Sequence, residues 1–201
     1  MYGILNNQNQ LIAKFTVPLT VRSNKPTSVS DALSLKRFVT SSAAQRWEIE
    51  SEVEPLSHNA EDLMVELVTK GKHDTVKILF PQNFSVKNKI VLNNPTVTAG
   101  GSAGSSTIAA RFNGTLPKGL FVKFPNHNKI YMLTENASSD NTTNDVTLYI
   151  YPKLLVTQTA GTTLSIDVIA NFYVDTESVS GMVYNDGILM EMGSLTFIEA
   201  I

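Results

Sequence analysis

Residues 45–55 read QRWEIESEVEP, and the alternation in this run constrains the fold more than any other feature of the chain. On a β-strand, successive side chains point to opposite faces, so Trp47, Ile49 and Val53 share one side and Glu48, Glu50, Glu52 and Glu54 the other. Neighbouring carboxylates on such a face stand roughly 7 Å apart. The apolar side asks for a core and the acidic side forms a ladder of like charge on a surface.

The rest of the chain fits a folded, mainly β protein. An apolar fraction of 42% and a charged fraction of 17% leave little room for disorder. No stretch reaches the ~20 apolar residues of a membrane-crossing helix. The opening MYGILNNQNQLIAKF lacks the basic start and apolar run of a secretory leader. With no cysteine there are no disulfides, thiolate metal sites or cysteine nucleophiles, which fits synthesis in a reducing cytoplasm.

Charge is unevenly spread. Residues 1–83 balance nine basic against nine acidic side chains, and 84–155 carry seven basic against three acidic. Residues 156–201 hold six acidic side chains and no Lys or Arg. The texture changes at the same points. LIAKFTVPLTV (11–21) alternates loosely, with Pro18 marking an edge or a bend. ALSLKRFVT and AQRWEIESEVEP, joined at Ser41–Ala43, are expected to form a hairpin. A helix is expected at 58–70, capped by Ser57 or Asn59, with Glu61 and Asp62 in its first turn and Lys70 and Gly71 at its end. Its stripe of Ala60, Leu63, Met64, Leu67 and Val68 would pack on a sheet. DTVKILFP (74–81) returns as a strand.

Between 84 and 155, short strands are expected near 94–98, 106–112, 119–124, 129–134 and 146–151. Asn113-Gly114 is a strong turn signal, Lys118-Gly119 a weaker one, and Asn136–Asn144 reads as a polar loop. Five short strands in so few residues suit a small, partly closed barrel or sandwich. TLSIDVIANFYVD (163–175) and GSLTFIEAI (193–201) are again strand-like. The expected architecture is a discontinuous host, 1–83 plus 156–201, with an inserted barrel at 84–155.

Catalytic motifs do not assemble. GGSAG (100–104) matches G-x-S-x-G with Ser102 as nucleophile, but the following SSTIAARF is β-patterned, and that motif needs a helix. A flexible Gly/Ser loop is the simpler reading. His58, His73 and His127 share no metal spacing and read as a helix-start residue, a loop residue and a turn residue. The sequons at Asn83, Asn113, Asn136 and Asn141 carry no weight without a secretory signal. The sequence thus calls for no enzyme, no cofactor and no metal.

The stretch AGSSTIAARFNGTLPKGLFVKFPNHNKIYML, followed by VTLYIYPKL, resembles the insert of bacteriophage distal-tail and baseplate-type virion proteins. The positions that carry the likeness are Gly104, Ser106 and Ile108, then Gly119, Phe121 and Phe124, then Lys129 and Tyr131, then Ile150 and Pro152. Upstream, Gln45, Arg46 and Trp47 lie in a similar hairpin-and-helix run, so the resemblance covers about 37–155. It implies a β-sandwich with one flanking α-helix plus an inserted small, OB-like β-barrel. It also implies a homo-oligomer, a hexameric ring at the tail tip, joining the tail tube to the baseplate or fibre hub. DNA would be present only in transit through the lumen, and the location would be the virion tail.

Two readings follow. In a ring, Glu48, Glu50, Glu52 and Glu54 would face the lumen or a neighbouring subunit, where few basic groups let DNA slide. The plainer account of the ladder is a solvated face paired with Lys36 or Arg37 across the hairpin. The alternative function is a module whose barrel grips a glycan or single-stranded nucleic acid through Phe112, Phe121, Phe124, Tyr131, Tyr149 and Tyr151, with Arg111, Lys123 and Lys129 beside them. Phe121, Phe124 and Tyr131 are better placed as barrel core.

Overall fold

The computed structural model describes residues 2–31, 37–41, 44–56, 60–70, 74–82, 94–139, 144–175, 183–185, 188–191 and 193–201. The first part of the chain runs β1 (Gly3–Leu5), β2 (Leu11–Phe15), β3 (Thr20–Asn24), β4 (Thr27–Asp31), β5 (Arg37–Ser41), β6 (Arg46–Pro55), α1 (Ala60–Lys70) and β7 (Thr75–Leu79). The middle holds β8 (Thr96–Ala99), β9 (Thr107–Arg111), β10 (Gly114–Leu116), β11 (Phe121–Lys123), β12 (Ile130–Leu133), β13 (Ala137–Ser139) and β14 (Val146–Tyr151). The last part adds β15 (Ile169–Asp175), β16 (Val183–Asn185), β17 (Ile188–Glu191) and β18 (Ser194–Glu199). The chain is mainly β with one described helix, and its sheets suit a β-sandwich plus a small barrel, as the sequence predicts. It divides into two compact units, one of Met1–Leu11, Lys77–Asn171 and Ile201, the other of Ile12–Val76 and Phe172–Ala200.

In the second unit, β6 is the spine. Its Glu48–Glu52 stretch pairs with β18, and its other side pairs with β3 over Arg46–Glu50 and with β2 over Val53–Pro55. The break between β2 and β3 falls at Val17-Pro18, where proline offers no N–H to a ladder. Ser51 sits opposite this break, and its hydroxyl donates to the carbonyls of Thr16 and Glu52 at 3.0 and 2.8 Å. Trp47, Ile49 and Val53 are buried as expected, with Leu195 and Phe197 of β18, and Phe15 packs on Phe197 at 5.5 Å. Where the β6 ladder ends, the buried Glu199 carboxylate accepts the Trp47 N–H at 3.0 Å.

Two local expectations fail here. The strand at 37–41 pairs with β4, from Thr27↔Ser41 to Asp31↔Arg37, and not with β6. The run TSVSD is strand-competent, and the two connections, 32–36 and 42–45, are nearly equal in length, so loop closure does not decide; β6 is already paired with β3 on one side and β18 on the other, which leaves β5 to β4. The helix also turns a different face inward. Leu63, Glu66, Leu67 and Lys70 form its covered side, whereas Met64 and Val68 are exposed. Glu66 and Lys70 form an i,i+4 ion pair on that covered side, and this charged pair takes the place the apolar stripe was expected to fill. Ser57, His58, Asn59, Gly71 and His73 lie outside the described residues.

In the first unit β1 pairs with β7, Gly3↔Leu79 to Leu5↔Lys77. All five predicted barrel strands are present, in the antiparallel order β11-β12-β14-β9-β8. Two strands were not foreseen. β10 follows Asn113 and pairs with β13, which lies inside the stretch expected to be a polar loop. The tight turn is the weaker-looking one, Pro117–Leu120, where Gly119 takes φ +83°. Val97, Ile108, Phe112, Val122, Phe124, Tyr131, Leu148 and Ile150 fill the concave side of the sheet, with Leu116 and Ala137 of the β10–β13 pair over them.

The half-barrel is completed by a strap rather than by a sixth strand. Residues 158–165 bond to both edges. Gly101 pairs with Gln158, Val97 exchanges bonds with Gly161 and Thr162, and Thr96 bridges Thr163 at the β8 edge. Two residues later, Ser165 and Lys123 exchange backbone bonds of 2.9 and 3.0 Å at the β11 edge. Leu164, between these contacts, points into the core. Closure in this way leaves neither edge of the sheet as an open template for pairing.

Candidate functional site

The glutamate ladder lies on the solvent side of β6, and its partners come from β2 and β3. Lys14 stands directly opposite Glu54 and bonds it at 3.0 Å. Arg22 stands opposite Glu48 but reaches diagonally to Glu50 at 2.7 Å, and Asn24 Nδ2 donates to Glu48 at 2.6 Å. On the other flank Glu48, Glu50 and Glu52 stand opposite Ile198, Thr196 and Ser194 of β18. Glu52 is exposed and pairs with no cation among the described residues. The partners expected across a hairpin, Lys36 or Arg37, are not used. Lys36 lies outside the described residues, and Arg37 belongs to the β4–β5 hairpin. The preceding triplet is structural at two of its positions: Gln45 is buried and donates to Ser23 Oγ at 3.0 Å, and Trp47 is core. Arg46 is exposed and, with Asn24, Pro26 and Glu48, lines a cleft of about 360 Å³.

The barrel uses most of its aromatics internally. Phe112, Phe124 and Tyr131 are core, and Phe121 is half-buried against Phe80 with ring centroids 4.7 Å apart. Only Tyr149, 42% exposed, and the half-buried Tyr151 remain on the outer face. The basic residues beside them are also committed. Lys129 is buried and Arg111 bonds Asp145 at 2.5 Å. Lys123 is half-buried, and burial lowers the pKa of its ammonium.

His127, expected to shape a turn, does so between β11 and β12. Its Nδ1 accepts the Lys129 N–H at 3.1 Å, and its Nε2 lies 3.1 Å from Gln158 Nε2 on the strap. The Tyr131 hydroxyl nearby accepts the Leu155 N–H at 3.0 Å. Burial, and then the charges of Lys123 and Lys129, lower the His127 pKa to about 4, so the ring is neutral at pH 7. It is held on both sides and is remote in role from any nucleophile.

GGSAG is a pinned turn, which corrects the expectation of a flexible loop. A Cβ on Gly101 would come within 2.8 Å of Leu154 Cδ1, and one on Gly100 within 3.1 Å of the Gln158 carbonyl. At Gly100 a side chain would crowd the strap's backbone, and at Gly101 it would push on the side chains of Leu154 and Ile108. Ser102 is exposed and a strand, β9, follows in place of a helix. Among the described residues no three His, Asp or Glu side chains are placed to hold a metal ion, and no helix is long and apolar enough to cross a membrane.

Two side-chain amides that the sequence did not single out do the joining in this unit. Gln82 Nε2 donates to the carbonyls of Phe121 and Ile166 at 2.7 and 3.1 Å, and its Oε1 accepts the Phe121 N–H at 3.0 Å. It thus pairs with the β11 edge as a strand residue would. Asn128 does the same to Asn171 on β15.

By geometry, then, the chain is a mainly β protein with a strap-closed barrel, strand faces dressed with ion pairs, and turns set for packing. Residues 82–169 match the family model described as the B domain of the distal tail protein pb9. The resemblance to phage distal-tail proteins read from the sequence is borne out over that stretch, and it supports a structural role in a phage tail. The matched stretch starts at Gln82, the first joining amide, and ends just beyond the strap. No curated protein matches the chain.

Proposed function

We propose that the protein forms a ring at the tip of a phage tail, a hexamer that joins the tail tube to the baseplate or fibre hub and leaves a lumen for DNA. The match of residues 82–169 to a distal tail protein domain carries this reading. In it, 1–83 and 156–201 form the ring domain, and 84–155 the outward-facing, OB-like insert. Subunits join edge to edge through β3, which pairs with β6 alone among the described strands and is bracketed by Pro18 and Pro26. Glu48, Glu50, Glu52 and Glu54 face the lumen or the next subunit. Lys14 and Arg22 are already spent on Glu54 and Glu50, so of the cations on this face they offer little to sliding DNA. Light scattering after size-exclusion chromatography, with electron microscopy, tests the ring. A protein that stays monomeric alone and with its tube and hub partners overturns it.

The second reading, a barrel that grips glycans or single strands, rests on Tyr149 and Tyr151 sharing one outer face of β14. Glycan arrays and oligonucleotide titrations at background level would dismiss it.

A further inference from the structure

The sequence marks Asn113-Gly114 as a strong turn signal, yet the structure does not use the pair as a tight turn. Asn113 sits half-buried at the corner between β9 and β10, and Gly114 opens the β10–β13 ladder opposite Ser139. Gly114 holds φ +114°, which suits glycine and would strain any residue with a side chain. Asn113 is the one asparagine in the chain that glycine follows.

Glycine after asparagine leaves the backbone nitrogen open to the side-chain amide, because no Cβ hinders the approach. Gly114 is also the end pair of its ladder, where pairing opens most easily. The remaining requirement is an amide free to turn. Asn136, which precedes alanine, has its Oδ1 held by the Lys118 N–H at 2.8 Å. Asn128 is held at both ends of its amide by Asn171. Among the described residues no hydrogen bond holds the Asn113 side chain.

We propose that Asn113-Gly114 is a self-modification site, where the chain converts Asn113 to aspartate and isoaspartate with water as the co-reactant. The Gly114 nitrogen loses its proton and bonds to Asn113 Cγ, and the Cγ–Nδ2 bond breaks as ammonia leaves. Water then opens the cyclic imide. Cleavage between nitrogen and Cγ gives aspartate. Cleavage between nitrogen and the Asn113 main-chain carbonyl gives isoaspartate, whose backbone runs through the former side chain and is one methylene longer.

The position gives the longer product a consequence. Phe112 and Leu116 flank this corner, and both are buried in the same core. An extra methylene between them cannot leave Phe112 seated and β10 in register with β13, so the pair that covers the core is loosened. Subunits of an assembled tail are not renewed, so the change accumulates as a particle ages. The reaction itself does not depend on the ring.

The test uses the purified full chain, aged at mildly alkaline pH and digested with trypsin, which releases Asn113 in the peptide Phe112–Lys118. The expected result is an amide-to-acid mass gain in that peptide, part of the product being a substrate for a protein isoaspartyl methyltransferase. Asn113→Gln, whose longer side chain would need a larger ring, should lose both signals. The isoaspartate fraction, separated by ion exchange, should melt below Asn113→Asp, which carries the charge without the extra methylene. Conversion seen only after unfolding in urea overturns the site. An isoaspartate fraction as stable as Asn113→Asp overturns the loosening.

Discussion

Asn128 and Asn171 face each other as two residues of a β-ladder would, although only one of them uses its backbone. Asn128 Nδ2 donates to the Asn171 carbonyl at 2.8 Å, and the Asn171 N–H donates to Asn128 Oδ1 at 2.8 Å. Both amide functions are needed, so Asn128→Asp, which cannot donate, should cost more than its near-isosteric change suggests. Asn128→Ala should lose about 1 kcal/mol, the net worth of two partly solvated hydrogen bonds. Denaturant unfolding of the two variants tests this, and equal stability of all three proteins would refute it.

Gln82 makes the same kind of pair under deeper burial. Gln82→Ala leaves the Phe121 N–H and two carbonyls without their partner and should cost about 2–3 kcal/mol. Gln82→Glu keeps the acceptor for Phe121 N–H but sets a carboxylate against the carbonyls of Phe121 and Ile166. It should therefore be least stable at neutral pH and recover part of the loss as the acid protonates.

His127 sets a pH dependence whose sign can be worked out. Its pKa is about 4 in the folded protein against 6.5 unfolded, so the unfolded chain binds the proton more readily between those values. Stability from this residue is complete above pH 6.5 and is lost as pH falls towards 4. Subtracting the stability curve of His127→Gln from that of the unchanged protein should isolate a slope confined to this window. A flat difference would show that the ring is solvated.

The GGSAG turn separates packing from chemistry. Gly101→Ala pushes a Cβ onto Leu154 and Ile108 and should cost about 1–3 kcal/mol, with Gly101→Val worse. Gly104, at φ +87° with open space around it, should lose only about 1–2 kcal/mol from backbone strain on becoming alanine. Ser102→Ala should change stability by no more than about 0.5 kcal/mol. Thermal melts of the three distinguish them.

On the ladder, Arg22→Ala should cost no more than about 1 kcal/mol, and the loss should shrink in high salt, because the Arg22–Glu50 pair is exposed. Glu52→Lys should be neutral or slightly stabilising by relieving like charge between Glu50 and Glu54. A large loss from Glu52→Lys in the monomer would mean that Glu52 has a role within the subunit.

The strands were legible wherever alternation met a one-sided core, as in β6, β9 and β14. The barrel strands stand within two or three residues of the expected limits. Pairing was less legible, because it depends on which strands compete for each edge. TSVSD went unweighed and took β5 away from β6. The helix showed its limits but not its inward face, since five apolar residues spread over two possible stripes and an ion pair decided between them. The candidate ladder was found, but its partners Lys14 and Arg22 were not, for the same reason of pairing. Gln82, Asn128 and the strap left no signal. An amide that imitates a backbone has no periodicity, and TQTAGTTLS reads as turn until its two bonded edges are seen.

The strap also orders events in time. During synthesis β8 to β14 can hydrogen-bond with one another, yet the β8 edge stays without its strap bonds until residues 161–163 have emerged, and Lys123 on the β11 edge until residue 165, some fourteen residues after the last barrel strand ends. Those edges are then open to pairing with other nascent chains, and chains made close together on one message are exposed to that hazard at once. A chain truncated just before Gln158 should keep its strands and lose its solubility.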